Sequence, residues 1–520
     1  MRDRLEKRAL LTLPSWKTKS ERISRLTILD MHLDGTIYKC LPHEYDEETT
    51  GTGPSGRYIR RQERKPSTRL GLAGTSAQTI ARKLFAGRHA PTLVLEKNPK
   101  LVKDIQAYLD EAHVNNEMIG LARFGSVGSA CATFKTVEAD DGELKLVMNV
   151  FRARDCFPTF DGAKKLKKLR VAYLVTGQFF LDNELTVDID NEALKPFTNY
   201  WFVMDLDSKS ESYSVPMPER IWNPIEGFVQ QDEQDKHVFT TITDGPLAKV
   251  EHGLNLKFVP AQWFTNLSGG TFPDGGCLFE PALNNIVQYD YQMSQLDLGL
   301  ASAACPMTVI EGPLMQELDS EGRPIPRSPN RYLRFAGGTK DADGGGENAG
   351  KAYYLESNGQ GFLADLALCK EMKKDAIAQI SASQKDPDKV TTAMSGKGME
   401  IVDEEYIDLA FELRTSYGGG WLEMVQKMVL LGIEAGHPKL KNVTTEDAKE
   451  LKDAWPDMHD MAPQEYAQFV AGVATAQENG MIDNLQAQDM HRAKVDVPAN
   501  QATKKNPVKL DKPKSGEKKK

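Results

Sequence analysis

The sequence lacks any long hydrophobic run. Its apolar stretches are short and interrupted, and none approaches the ~18–20 residues that a membrane-spanning helix needs. The first eight residues, MRDRLEKR, are charged and lack the apolar core of a secretory signal. The sequence alone therefore predicts a cytoplasmic protein that is neither secreted nor inserted in a membrane.

Clustered cysteines and histidines are also missing. The six cysteines lie far apart with no CxxC pair, and the nine histidines form no HxxxH or HxH cluster. A disulfide framework or a zinc site needs such clusters. The sequence therefore predicts buried free thiols and no bound metal.

Catalytic and nucleotide-binding motifs are incomplete. The GxGxxG spacing of residues 51–56 contains Pro54, and it neither follows a strand nor opens a helix. In the run 345–351, which resembles a phosphate loop, Ala352 follows where serine or threonine must hold magnesium. No GxSxG elbow occurs, and His459 between two aspartates is typical of a solvated turn. We therefore expect a protein that is not an enzyme and that binds no cofactor.

Positive charge is scarce overall, with a net charge of −9 and a pI of about 5.7. This balance argues against a protein that wraps nucleic acid tightly through a basic face, but not against one past which nucleic acid slides. Basic residues concentrate in two places, at 57–69 and in the tail 503–520. The sequence gives no indication of what the run 57–69 contacts.

Hydrophobic periodicity divides the first half of the chain. Residues 1–75 carry little of it and are expected to form a loosely ordered arm, with a flexible loop over 45–69. Helical spacing appears over 79–84 and 99–122. Short alternating segments then predict an α+β region with a mostly antiparallel sheet. The predicted strands are 130–137, 144–151, 170–175, 200–205, 211–215 and 237–243.

Two long helices of matched length are predicted in the middle of the chain, over residues 280–304 and 360–383. Pro281 suits the first turn of the first helix. The insert between the helices, residues 305–359, is rich in Gly, Pro and Asp. It contains strand-like pieces at 307–311, 331–335 and 352–355. This order predicts an antiparallel helix pair with a small β-rich module at its far end.

The last part of the chain is predicted to be helical. A third long helix spans 403–435, and the three adjacent glycines 418–420 are expected to kink or break it, because each costs up to ~1 kcal/mol against alanine. Further helices are predicted over 445–454 and 463–479. Beyond residue 497 the composition indicates a disordered tail.

Five sequence features follow one another in a recognisable order. They are a helix-then-strands domain ending in the proline turn 156–158, the residues HGL at 252–254 with VP at 259–260 and WF at 263–264, the helix–insert–helix order, TTAMSGKGME at 391–400, and AQENGMID at 476–483. Over roughly residues 80–490 this order resembles the portal proteins of tailed bacteriophages. Those proteins form the ring at the capsid vertex through which the genome is packaged and ejected.

The resemblance implies an α+β portal architecture with a wing, an α-helical stem, a small β-containing clip and a helical crown. The implied parts are a partly flexible N-terminal arm 1–75, wing 76–278, first stem helix 279–304, clip 305–359, second stem helix 360–383, tunnel loop 384–402, long kinked wing helix 403–436, crown 437–495 and basic disordered tail 496–520.

The resemblance also implies a function without catalysis. The chain would form a ring of about twelve copies that conducts double-stranded DNA during packaging and ejection. The implied partners are other copies of the chain, the passing DNA, the terminase large subunit, the major capsid and scaffolding proteins, and head-completion, adaptor or tail proteins. No membrane is involved. The implied location is the capsid vertex of the virion, after assembly in the host cytoplasm.

Basic side chains are the candidate site residues under this hypothesis. Candidates for the DNA channel are Lys370, Lys373 and Lys374 on the second stem helix and Lys385, Lys389 and Lys397 in the tunnel loop, of which the loop lysines are preferred. Candidates for partner docking at the clip are Arg323, Arg327, Arg331 and Arg334. The alternative interpretation is that all six lysines are ordinary solvated side chains.

Three other hypotheses stay open at this point. Another virion component, such as a minor head or connector protein, would lack the clip-like insert between matched helices. A phage nucleic-acid-processing enzyme would need a clustered acidic metal site or a genuine phosphate loop. A host solute-binding or scaffold protein would leave the basic arm and the basic tail unexplained.

Overall fold

The structure is a computed structural model. It describes residues 18–47, 58–139, 142–182, 196–213, 217–219, 222–223, 227–228, 248–251, 256–304, 307–311, 351–355, 360–380, 396–456 and 475. Within these ranges the protein is of the mixed α+β class, as the sequence predicts. None of the helices described there is both long and apolar enough to cross a lipid bilayer.

The helices of the described part are, in chain order, α1 (Lys19–Leu33), α2 (Leu72–Phe85), α3 (Leu101–Leu109), α4 (Val114–Gly125), α5 (Gly177–Asp182), α6 (Leu283–Ala304), α7 (Gln360–Gln379), α8 (Gly396–Glu434) and α9 (Thr445–Glu450). Short 3-10 turns accompany them, including Ile37–Cys40 after α1 and Glu280–Ala282 before α6.

The strands are β1 (Thr92–Val94), β2 (Ser129–Glu138), β3 (Leu144–Arg152), β4 (Cys156–Phe160), β5 (Leu166–Thr176), β6 (Asn199–Leu206), β7 (Ser210–Tyr213), β8 (Met217–Pro218), β9 (Trp222–Asn223), β10 (Gly227–Phe228), β11 (Ala248–Glu251), β12 (Ala261–Thr265), β13 (Met307–Glu311), β14 (Lys351–Leu355) and β15 (Lys452–Ala454). Five of the six strands predicted over 130–243 are confirmed within a few residues. The sixth, 237–243, lies outside the described residues.

The strands form two larger antiparallel sheets rather than the one sheet that the sequence suggests. One has the order β12-β2-β3, and the other has the order β11-β7-β6-β5-β4, with β8 paired to β6. Helices α4 and α8 pack on the first sheet, and α2 packs on these two helices. Their apolar faces and the inner faces of the sheets form one continuous core, which includes Tyr108, Phe134, Phe264 and Tyr417.

Helix α1 corrects the prediction that residues 1–75 form a loosely ordered arm. Thr18 and Glu21 form a capping box at its start, and Leu26 and Leu29 are fully buried in the main core. Its periodicity is hard to detect because several inward-facing side chains are charged and paired across the fold. Arg22, for example, donates to the Asp274 carboxylate at 2.8 Å.

Helix α8 runs without interruption from residue 396 to residue 434, so the predicted break at the glycines is wrong. The glycines serve close packing instead. A Cβ added at Gly420 would lie 2.8 Å from the ring of Phe264, and one at Gly418 would lie 3.2 Å from the indole nitrogen of Trp455. The early start of α8 also means that residues 396–402, predicted as part of a tunnel loop, are helical.

The described C-terminal residues fold onto the same core. Helix α9 begins with a capping box between Thr444 and Asp447 and ends at Glu450, so the helix predicted to 454 is too long. Residues 452–454, the last three of the predicted helix, form β15 instead, which pairs with β1 some 360 residues earlier. The residues on the two sides of 437, where the resemblance implies that the wing helix ends and the crown begins, therefore pack in one core. The helix predicted over 463–479 and the basic tail lie outside the described residues.

The buried free thiols that the sequence predicts are confirmed for four of the six cysteines: Cys131, Cys156, Cys277 and Cys369. Burial raises the pKa of the Cys277 thiol to about 12, so it stays protonated and unreactive at neutral pH. Cys40 is partly exposed, and Cys305 lies outside the described residues.

Candidate functional site

The feature that stands apart from the core is an antiparallel hairpin of α6 and α7. The two helices pack along each other. Phe362, near the start of α7, lies against Gly299 near the end of α6, whereas α7 also contacts the turn at 280–282 that precedes α6. The 22 and 20 residues correspond to lengths of about 33 Å and 30 Å, so the matched helices predicted from the sequence are present.

The hairpin continues into a two-stranded antiparallel pair. Strand β13 follows α6 and β14 leads into α7, with Met307 opposite Leu355 and Glu311 opposite Lys351. The chain thus leaves the first helix along one strand and returns to the second along its neighbour. The rest of the insert, residues 312–350, lies outside the described residues, together with the docking candidates Arg323, Arg327, Arg331 and Arg334.

The two ends of the hairpin differ in burial. At the root, Ile286 of α6 and Ala376 and Ile380 of α7 are buried in the main core. At the tip, next to β13 and β14, Leu363 is 68% exposed and Leu368 is 50% exposed.

The tip therefore carries an apolar surface. Leu300 of α6 is also 49% exposed there. The exposed Ala364 and Ala367 fall between Leu363 and Leu368 on the outer face of α7. We call Leu300, Leu363 and Leu368 the tip leucines. Contiguous exposed apolar side chains mark an interaction surface.

The root of the hairpin is held by the N-terminal segments 37–45 and 58–70, which we call the clamp. Ile37, Tyr38, Leu41 and Tyr45 of these segments bury themselves against Val287 and Tyr291 of α6 and form a second, smaller apolar cluster. The flexible loop predicted over 45–69 is thus wrong for its described residues, since Ile59 and Arg64 are buried there.

Asp290 of α6 lies at the centre of the clamp. The Tyr38 hydroxyl donates to one carboxylate oxygen at 2.8 Å, and the Leu70 backbone N–H donates to the other at 3.0 Å. The Tyr38 and Tyr291 rings meet edge to face at 6.1 Å. One carboxylate therefore ties together the two ends of the clamp and the helix between them.

Neighbouring residues of α6 extend the same contact. The Tyr291 hydroxyl donates to the Arg64 carbonyl oxygen at 3.1 Å, and the Thr68 backbone N–H donates to the Ser294 hydroxyl at 3.1 Å. Ser294 in turn donates to the backbone carbonyl of Asp290 at 2.7 Å. Asp290, Tyr291 and Ser294 on the inward face of α6 thus all form hydrogen bonds with the extended segment 64–70.

Three arginines of the basic run 57–69 are engaged within the chain. Arg61 stacks over the Tyr291 ring at 5.6 Å, and Arg69 over the Tyr38 ring at 5.5 Å. The buried Arg64 lies over the Tyr45 ring at 5.6 Å and donates to the Tyr45 carbonyl at 3.0 Å. Cation–π contacts of this kind contribute about 0.5–2 kcal/mol each, more as they are desolvated. Most of the run therefore forms contacts within the chain that hold the root of the hairpin in place.

Burial raises the pKa of the Asp290 carboxyl to about 6, although its bonds to Leu70 and Tyr38 and the charge of Arg69 partly offset the rise. The pKa of the Tyr38 phenol is also raised, by burial first and then by the charge of Asp290. The tyrosine thus remains a donor, and the carboxyl changes charge near pH 6. The sequence does contain a signal for this residue, because Asp290 falls within the apolar stripe of its helix, where a charge needs a partner.

The candidate channel lysines fall into three groups. Lys370 and Lys374 are exposed on α7, and Lys373 is half-buried. Lys397 lies in the first turn of α8, and Lys385 and Lys389 lie outside the described residues.

Lys374 lies 3.5 Å from Glu371, so the outer face of α7 mixes both signs of charge. In the described ranges no group of three or more histidine, cysteine, aspartate or glutamate side chains is arranged to hold a metal ion.

No protein-family model matches the chain, and a search of curated proteins finds no match either.

Proposed function

We propose that the chain is the subunit of a portal-like ring that conducts double-stranded DNA through a virus capsid. The observation that carries the proposal is the hairpin of α6 and α7, fastened at its root, extended by a β pair and apolar at its exposed tip. A lone chain gains nothing from exposing leucines on a projecting hairpin, whereas a neighbouring copy would cover them.

In this proposal the body built by the two sheets and helices α1–α4 and α8 is the wing. Helices α6 and α7 are the stem, and the insert that begins with β13 and ends with β14 is the clip. The clip would dock the terminase and then the head-completion or tail proteins. The apolar half of α7 would meet the next subunit, and its charged half, residues 370–375, would approach the DNA.

The dimensions of such a ring suit a duplex. Helices pack about 9–10 Å apart, so twelve copies of α7, one from each subunit, would place their axes on a circle roughly 35–38 Å across. Subtracting side chains leaves an opening of roughly 25–28 Å. The mixed charges of the outer face of α7 favour sliding, because each additional cation fixed on a phosphate adds salt-dependent affinity and so resists movement.

The proposal is tested by the mass of the purified protein, measured by light scattering on a sizing column. The full chain is expected near twelve times 57.8 kDa. The double substitution L363S/L368S should shift the population to smaller species. The matched control is L174S on β5, which alters a leucine that is 39% exposed but lies on the sheet.

Two results would contradict the proposal. A wild-type monomer in every buffer, with no rings in electron micrographs of the same sample, would rule out the ring. Assembly of L363S/L368S at the wild-type mass would leave the ring without the hairpin contact on which the proposal depends.

A further inference from the structure

One end of the larger sheet carries a dense group of exposed lysines. Residues 161–170, which form the turn between β4 and β5 and the start of β5, have the sequence DGAKKLKKLR. Strand β6 ends beside this point, with Leu206 paired to Leu169, so the turn after β6 lies at the same end of the sheet. The exposed lysines here are Lys164, Lys165, Lys167, Lys168 and Lys209, which we call the basic edge.

A β-bulge explains how successive lysines all face solvent. Phe160 of β4 pairs with Leu166 and Thr159 pairs with Lys168, so Lys167 is an extra residue on β5. An extra residue interrupts the strict alternation of faces along a strand. Lys167 and Lys168 are therefore both exposed, although they are adjacent in sequence.

The acidic groups near the basic edge each accept hydrogen bonds from neighbouring groups, although the charge of Lys168 also acts on one of them, Asp207. Asp161 accepts the backbone N–H groups of Ala163 and Lys165 at 2.9 and 2.8 Å. Asp205 binds the Arg170 guanidinium through two bonds of 2.6 Å.

Asp207 likewise accepts backbone N–H groups, those of Lys209 and Ser210, at 2.7 and 2.8 Å. Within the described part of the chain, none of the five lysines forms an ion pair. They concentrate positive charge on a chain whose net charge is −9.

We propose that the basic edge is a contact surface for the phosphodiester backbone of nucleic acid. Lysine ammonium groups are compact point charges that suit phosphate oxygens without reading a sequence. Lysine is depleted in protein–protein interfaces, whereas nucleic-acid interfaces are strongly positive. Residues two apart on a regular strand are spaced about 6.6 Å, so lysines at the end of a sheet can follow a backbone over several phosphates.

An exposed aromatic ring adjoins the lysines. Phe272 is 52% exposed, its ring lies 5.5 Å from the Lys164 ammonium, and it packs on the Phe160 ring at 4.8 Å. Single-stranded nucleic acid is held by cations beside exposed aromatic rings, whereas a duplex needs the cations alone. The proposed ligand is the backbone that both forms share, and the inference does not depend on the ring proposed above.

The test measures binding of the full chain to a labelled 30-base-pair duplex and to the matching single strand, from 50 to 200 mM NaCl. The variant K164Q/K165Q/K167Q/K168Q removes four charges from the basic edge. The matched control, K100Q/K103Q/K441Q/K449Q, removes four exposed lysines from the helical face around α3 and α9, where both signs are mixed.

The basic-edge variant should flatten the salt dependence. Loss of four duplex phosphate contacts lowers the slope of log affinity against log salt by up to about 3.6. Raising the salt from 50 to 200 mM should therefore weaken duplex binding by the wild type about 100-fold more than binding by the variant. The control variant should keep the wild-type slope.

Two results would overturn the proposal. Equal weakening by both variants would mean that only net charge matters, and no weakening by the basic-edge variant would mean that the edge does not touch nucleic acid. A second measurement needs no variant. Lys164, Lys165, Lys167 and Lys168 of the wild-type protein should become protected from an acetylating reagent when duplex is added, and unchanged labelling would contradict the proposal.

Discussion

The substitution Asp290→Asn tests the clamp through its pH dependence. Asparagine keeps an acceptor oxygen for the Leu70 N–H but carries no charge at any pH. The Asp290 carboxyl titrates at its ordinary value of 3.8 when the clamp is open and near 6 when it is closed. Between these values the closed form holds a proton that the open form releases. The clamp is therefore most stable below pH 4 and weakens as the pH rises through 6.

The size of the effect follows from the shift in pKa. A rise of about two pKa units corresponds to about 3 kcal/mol over the full range. Between pH 5 and pH 8 the opening equilibrium of the wild-type clamp should increase about tenfold. In the Asp290→Asn protein the same equilibrium should stay flat.

Hydrogen–deuterium exchange of peptides covering residues 62–72 and 284–296 provides the measurement, after correction for the intrinsic exchange rate at each pH. The control is Asp375→Asn, which changes an exposed aspartate on α7 and should behave like the wild type. An Asp290→Asn clamp that opens with rising pH as the wild type does would refute this account of the clamp.

Two further predictions concern glycines. Gly299→Ala places a Cβ 2.8 Å from the Phe362 ring, so it should destabilise the hairpin by about 1–3 kcal/mol and raise exchange over 360–368, and Phe362→Leu in the same chain should restore part of the protection. Gly420→Ala places a Cβ 2.8 Å from Phe264 and should lower the thermal midpoint, whereas Gly419→Ala, with no atom within 4 Å, should gain up to about 1 kcal/mol. Equal midpoints for the two α8 variants, or unchanged exchange in Gly299→Ala, would contradict these explanations.

Elements whose burial follows simple periodicity could be predicted from the sequence. Strands β3 and β5 alternate over part of their length, and the two hairpin helices repeat apolar residues every three to four positions. Strand β13 was expected at 307–311 and is found there. In these cases the local pattern and the tertiary environment agree, so the local sequence is enough to predict the element.

Helix α1 could not be predicted because its inward face carries charge. Arg25, Asp30 and His32 are buried on the same side as Leu26 and Leu29. Arg25 pairs with Glu280, and Arg152 donates to Asp30 at 3.1 Å, so distant residues compensate the buried charges. A pattern that counts apolar residues treats these charges as solvent-facing and misses the helix.

The helix predicted over 452–454, where the chain forms β15, and the break expected in α8 are wrong for a related reason. Residues 452–454 continue a helical pattern, but the free edge of β1 is available and pairs with them. The glycines of α8 weaken a helix in isolation, but Phe264 and Trp455 fill the space that they leave. In both cases long-range packing outweighs the local preference.

The clamp could not be predicted because it depends on a long-range contact, although the sequence shows the residues on both sides of that contact. The basic run 57–69 and the aspartate inside the stripe of α6 are both apparent in the sequence. Their proximity is not, because more than two hundred residues separate Leu70 from Asp290. Only the folded chain shows that the run fastens the hairpin.

Electron microscopy of the purified protein, averaged down its symmetry axis, tests the central proposal most directly. The proposal predicts a closed ring of about twelve subunits around an opening of roughly 25–28 Å, with α7 of every copy lining the opening. Particles without a central opening, or rings in which the hairpins point away from it, would contradict the proposal that this chain conducts DNA.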